Sequence, residues 1–203
     1  MNWDLFAAFL VITAVLIVVP GPIVTLIIAT GARQGVRAAL VTVAGTSAGD
    51  AVLLAAIAFG LGWVLQNAGQ FLVVLRWAGA AYLIWLGIAA WRHAGEKQPA
   101  ETSGRVNFTR GFLVALSNPK TIAFFTAFLP QFVDPHLPAA TQLAVMCTVT
   151  AVFAAVSNTA WAIAAGRGRA WFMRPSRAKL LGRVSGAVLI GGGVWLSLAR
   201  RTG

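Results

Sequence analysis

At 203 residues, of which 59% are hydrophobic and only 10% charged, with a mean hydropathy of +0.80, the chain is no ordinary soluble domain, where about a quarter of residues are charged. A helix needs about 20 apolar residues to cross a bilayer, so about six spans with short loops use up the length and leave a single transmembrane domain over residues 1–203. The formal charge of +11 does not point to nucleic acid, because the basic residues fall between apolar runs and do not gather on one soluble face.

The first uncharged stretch covers residues 5–32. Met1-Asn2-Trp3-Asp4 before it lacks the positive region of a cleavable signal, and the run is too long for a signal core, so it reads as a retained span. Near its middle, Pro20-Gly21-Pro22 removes backbone donors and breaks the helix. Residues 38–75 are interrupted only by Asp50, enough for span two and the start of span three, with Gln66-Asn67-Ala68-Gly69-Gln70 as the turn. Span three is expected over 71–91, with Arg76 snorkelling near one end and Arg92 at the other. A polar loop over about 93–110 then separates a first half (about 1–92) from a second (about 111–203). Span four, 111–133, carries Asn118-Pro119-Lys120; span five covers 137–166 and span six 180–199. The expected fold is an all-α polytopic membrane protein with six helices, the first and fourth broken.

Loops one, three and five hold twelve of the sixteen Lys and Arg residues, against three on the other side, and basic residues accumulate in cytoplasmic loops. Both termini are therefore expected outside the cytoplasm, although Arg200 and Arg201 pull the other way. Trp171-Phe172-Met173, set among arginines in loop five, suits an anionic leaflet surface.

The halves resemble one another: Arg-x-x-Gly-Ala occurs at Arg76 and at Arg183, Asp50 falls opposite Asn158, and Pro20-Gly21-Pro22 falls opposite Asn118-Pro119-Lys120. Since each half has three spans, the second copy enters from the opposite side. Two inverted three-helix repeats with broken first members are an architecture of secondary transporters.

In lipid, backbone groups freed at such breaks must face protein or water, and the half-helix starting near Pro22 would turn its positive end toward a cavity, which suits a carboxylate. Asp50 and Lys120 are the deep ionisable residues, each costing about 2.5–3.5 kcal/mol at the bilayer centre. Either they form a structural ion pair, or Asp50 receives a cationic group or a proton while Lys120 receives an anion. Asn118, Asn158 and Gln131 are weaker candidates, since amides in spans often join helices. Gly45-x-x-x-Gly49, Gly79, Gly87, Gly186 and Gly191-Gly192-Gly193 read as packing positions. Trp3, Trp63, Trp91 and Trp171 read as interface anchors, with Trp85 deep enough to line a cavity. One cysteine, Cys147, rules out an internal disulfide or a CxxC pair, and two histidines make a metal cluster unexpected, so no metal and no cofactor is expected. No GxxxxGK[ST] occurs, so the chain is not itself an ATP-driven pump. One deep carboxylate and one lysine, without a nucleophile cluster, argue against an enzyme.

Pro20-Gly21-Pro22, Gly45-x-x-x-Gly49-Asp50, and Asn118-Pro119-Lys120 followed by Phe124-Phe125 and Phe128-Leu129-Pro130-Gln131-Phe132 together resemble the LysE/RhtB family of amino-acid exporters over nearly the whole chain. The resemblance implies a bacterial inner-membrane exporter of amino acids or close derivatives, coupled to protons and compatible with a homo-oligomer. Asp50 as the single deep acid tilts the substrate toward neutral zwitterions. Thiol-electron carriers of the wider superfamily need paired cysteines and are excluded. The rival readings are a non-transporting membrane scaffold or subunit and a transporter of inorganic ions.

Overall fold

The structure is a computed structural model that describes residues 2–67, 71–95 and 107–198. Of the turn expected over residues 66–70, residues 66 and 67 still belong to a helix, and Ala68, Gly69 and Gln70, the loop basic residues Lys97 and Arg105, and Arg200 and Arg201 lie outside the described residues.

The described residues fold as α1 (Trp3–Val18), α2 (Pro22–Gln34), α3 (Val36–Asn67, 32 residues), α4 (Phe71–Arg92), α5 (Asn107–Leu116), α6 (Pro119–Phe128), a 3₁₀ turn (Leu129–Phe132), α7 (Ala139–Arg167), α8 (Arg169–Phe172) and α9 (Pro175–Leu198). No strand occurs among them. Five segments are long and apolar enough to cross a membrane: α3, α4, residues 107–132, α7 and α9. The pair α1 and α2, bent by 41°, makes a sixth. The expected six spans, with the first and fourth broken, are therefore present. Their boundaries move by a few residues, because helices run past the last apolar residue into the polar flanks.

Both breaks follow from proline. Pro20 pushes Val19 out of the helical region to φ −71°, ψ 126°, and Pro22 then opens α2 at its first position, where a missing N–H costs nothing. Asn118 is likewise extended, at ψ 108°, before Pro119 opens α6. Between α2 and α3 a single residue turns the chain. Gly35 sits at φ 90°, a conformation in which any side chain is strained.

The helices pack as two groups. In one, α3 lies along α5 and α7, with α2 wedged between α3 and α7; in the other, α4 lies along α9 and α6. Glycine sets the close crossings. A side chain at Gly45 would meet the backbone of Phe108, and one at Gly49 that of Phe112, so this GxxxG spacing seats α3 against α5. Gly87 and Gly186 face each other's carbonyls across α4 and α9. The packing role assigned to these glycines holds, except that Gly191 and Gly192 touch almost nothing. Within the spans, several threonine hydroxyls fold back onto their own helix, as Thr30 Oγ1 does to the Leu26 carbonyl at 2.9 Å and Thr42 Oγ1 to Ala38 at 3.1 Å.

Trp85 corrects an expectation. It is 58% exposed on the outer face of α4, stacked on Tyr82 with ring centroids 5.4 Å apart, and does not line the cavity described below. Trp3, Trp63, Trp91 and Trp171 also point outward, as interface anchors would.

Candidate functional site

The break between α1 and α2 strands carbonyls at the end of α1, and the structure satisfies two of them from the other half of the chain. Lys120 Nζ donates to the Leu16 carbonyl at 2.8 Å and to the Val19 carbonyl at 2.8 Å. Lys120 therefore acts as a C-terminal cap for α1, placing a cation where the helix dipole is negative. The backbone at Gly21 makes room for it, since a Cβ there would lie 2.9 Å from Lys120 Cδ. Asn118 prepares the other end: its side-chain oxygen accepts from the Lys120 amide at 3.1 Å, and its Nδ2 donates to Thr121 Oγ1 at 2.7 Å.

These groups line a cavity of about 60 Å³, several times the room one water needs. Gly21, Asp50, Asn118, Lys120 and Asn158 all contribute to its wall. Asp50 is 5% exposed, and its Oδ1 has no hydrogen-bond partner in the structure. Asp50 and Lys120 are not joined by an ion pair, so of the two readings left open above, the structural pair is not the one adopted in this conformation. Asn158, buried on α7, reaches the same cavity as Asp50 on α3. Pro20, Pro22 and Pro119 shape the backbone around the cavity without lining it, and Gln131, on the 3₁₀ turn, does not line it either.

The cavity wall also includes Thr121 and Thr150, which the sequence reading missed. Thr150 Oγ1 is a second buried oxygen without a partner. The available signal was spacing: Thr150, Ala154 and Asn158 follow one another at four-residue steps, one face of α7. Ile23 and Val24 at the start of α2 also line the cavity, and the first helical bond there, from the Thr25 amide to the Gly21 carbonyl at 2.8 Å, lies beyond them. Gly21 offers no side-chain cap, so the Ile23 and Val24 amides, in the first turn of α2, have no helical partner.

Chemically, the residues around the cavity bring a carboxylate oxygen without a donor, two first-turn amides without a helical acceptor, and a lysine with two of its three N–H bonds committed. Complementary halves of this kind accept a molecule carrying both charges. No group of three or more His, Cys, Asp or Glu able to hold a metal occurs among the described residues.

A helical membrane bundle with half-helix ends converging on a buried charged cavity has the build of a secondary transporter. The chain belongs to the LysE type translocator family, which matches residues 14–200. It is 33% identical to the homoserine/homoserine lactone efflux protein of Salmonella typhimurium, over 98% of this chain and 99% of that protein. It is 32% identical to the leucine efflux protein of an Enterobacter species over 59% of each chain, and 28% identical to a membrane protein of Vibrio cholerae over 98% of this chain and 100% of that one. No solved structure matches. Membership makes the protein a membrane transporter of an efflux family and not an enzyme.

Proposed function

We propose that the protein is a secondary active exporter of amino acids or close derivatives, carrying neutral zwitterions such as threonine, homoserine or branched-chain amino acids, or a derivative such as homoserine lactone, out of the cytoplasm in exchange for protons. In this reading Asp50 takes turns between the substrate ammonium and the coupling proton. The Ile23 and Val24 amides and the third N–H of Lys120 hold the substrate carboxylate, and Asn158 and Thr150 supply further polar contacts. The protein sits in the bacterial inner membrane with both termini outside the cytoplasm, and the two halves rock as inverted repeats about the cavity.

The observation that supports this reading best is the buried Oδ1 of Asp50, which lacks a partner while Lys120, lining the same cavity, is committed elsewhere. A structural carboxylate at this depth would be paired, because leaving it bare costs more than it returns. The names of the homoserine and leucine efflux relatives support the substrate class.

The test is release of a panel of amino acids from cells loaded with dipeptides, comparing the wild type, Asp50→Asn and empty vector, with and without an uncoupler. Faster release of a few neutral amino acids that needs both Asp50 and the gradient is the expected result. Release equal to empty vector at confirmed expression would sink the proposal, turning attention to inorganic ions and then to a scaffold role.

A further inference from the structure

The two ends of the bundle are shut by different means, and at both ends the closing contacts join the first half of the chain to the second. At the end where α2 meets α3, backbone approaches backbone. A Cβ at Gly31 would lie 3.1 Å from the Ala165 side chain and 3.2 Å from the Gly166 amide, one at Gly166 would strike Val36, and one at Gly111 the Thr42 carbonyl. Asn107 Nδ2 adds a hydrogen bond to Gln34 Oε1 at 3.0 Å. Opening this end means moving whole helices apart.

The other end, where α1 and α7 begin, is closed by side chains. α1 contains no glycine, and Asn2, Phe6, Phe9, Thr13 and Leu16 follow one another at steps of four and three, one face of the helix. Leu16 lines the charged cavity, and about 10 Å further along α1 Phe9 meets Phe132 edge-on, with ring centroids 5.6 Å apart. Leu143, Met146 and Cys147, one to two turns before the cavity-lining Thr150 on α7, are buried in the same apolar cluster as these two rings. Beyond this seal Asn2 Nδ2 donates to Asp134 Oδ2 at 3.3 Å. Asp134 is itself fixed to α7, its amide donating to Gln142 Oε1 and its carbonyl accepting from Gln142 Nε2, both at 3.0 Å. Next to Phe9 on the same face, Thr13 Oγ1 is buried without a partner, whereas Thr25, Thr126, Thr148 and Thr159 donate to their own helices as Thr30 and Thr42 do. A bare hydroxyl costs stability while the seal is dry and finds a partner when water enters.

We infer that the seal between α1 and the start of α7 is the outer gate: the exported molecule leaves and the coupling proton enters past Thr13, between Phe9 and Phe132, and the Asn2–Asp134 bond is the latch whose release frees α1. The inference rests on the exporter reading and the orientation given above, and it adds the passage and the residues that close it. A gate made of rings and one hydrogen bond opens by parting side chains, whereas the glycine contacts at the inner end stay closed while it does.

Cys147, the one cysteine of the chain, is buried in the seal, so its reaction with a membrane-impermeant maleimide reports opening. The experiment measures that rate in right-side-out and inside-out vesicles for the wild type, Asn2→Ala and Asn107→Ala. In right-side-out vesicles Asn2→Ala is expected to speed labelling about fivefold, the worth of one ordinary hydrogen bond, and Asn107→Ala, which breaks the bond at the opposite end, is expected not to speed it. In a second arm, Asn2→Cys with Asp134→Cys in a Cys147→Ala background is crosslinked by an added oxidant; export of amino acids loaded as dipeptides should stop and return on reduction. Equal labelling of Asn2→Ala and wild type, equal acceleration in both alanine variants, or a crosslinked protein that still exports overturns the inference. Labelling confined to inside-out vesicles overturns it together with the orientation. Failure of the exporter reading looks different: the wild type then releases no amino acid, while the labelling rates still decide whether this end opens.

Discussion

Replacing Asp50 by asparagine should make the protein more stable and less able to transport. The substitution keeps the side chain's shape and removes its charge. A carboxylate at this depth costs about 2.5–3.5 kcal/mol on insertion scales, and in this structure no donor reaches its Oδ1 to offset that cost. Neutralising it should return roughly 1–3 kcal/mol. For a chain of 203 residues, at about 2–4 °C per kcal/mol, the melting temperature rises by roughly 2–12 °C. Transport moves in the opposite direction. The charge-assisted bond to a substrate ammonium is worth about 1.5–3 kcal/mol, so apparent affinity falls about 10- to 150-fold. Accumulation against a concentration gradient, driven by an imposed pH difference, should disappear. Unfolding of the purified variant in lipid nanodiscs and flux into proteoliposomes measure the two arms. A variant that melts lower than wild type while exporting at the wild-type rate would refute the reasoning, because Asp50 would then be a structural residue.

Lys120→Met should loosen the end of α1, since the Leu16 and Val19 carbonyls each lose a donor at about 1–3 kcal/mol apiece; faster hydrogen exchange across residues 19–24 is the readout, and unchanged protection there would contradict the capping role. Gly45→Val should prevent accumulation in the membrane, because its side chain would occupy the space of the Phe108 backbone, whereas Gly60→Ala, with open space around it, should be neutral or stabilise by up to about 1 kcal/mol; comparing membrane yields tests both. Outside the spans, the His136 amide donating to the Asp134 carboxylate at 2.9 Å holds that carboxyl below its ordinary value of 3.8. A lowered value in the folded state means this contribution is present above pH 3.8 and is lost as the pH drops further, so Asp134→Asn should flatten the acid limb of the melting curve.

The spans were readable because lipid imposes a strong and uniform rule on them, and the two breaks because proline acts within a few residues of itself. What the chain does with a break is not local. The carbonyls released at Leu16 and Val19 find their donor about a hundred positions away, a pairing that depends on how two halves fold together. Trp85 went astray for a related reason: α4 is apolar on every side, so depth along the helix is legible but facing is not. Gln131 was grouped with the site by its motif, yet the chain leaves the cavity through α6 before reaching it. Thr150 was overlooked because threonine is common in these spans and usually bonds back to its own helix, as Thr30 and Thr42 do.

The length of α3 carries a consequence for where the carboxylate sits. At about 1.5 Å per residue its 32 residues extend about 48 Å, longer than the roughly 40–45 Å of a bilayer with its headgroups, and Asp50 stands about 21 Å from one end and about 26 Å from the other. A rod longer than the bilayer would answer a thinner or thicker one by leaning, and leaning pivots near its centre. The acid is mounted close to that pivot, so its depth stays nearly constant across membranes of different thickness. Insulation of this kind would let one protein keep the same electrical distance between its carboxylate and each side of the membrane as lipid composition changes.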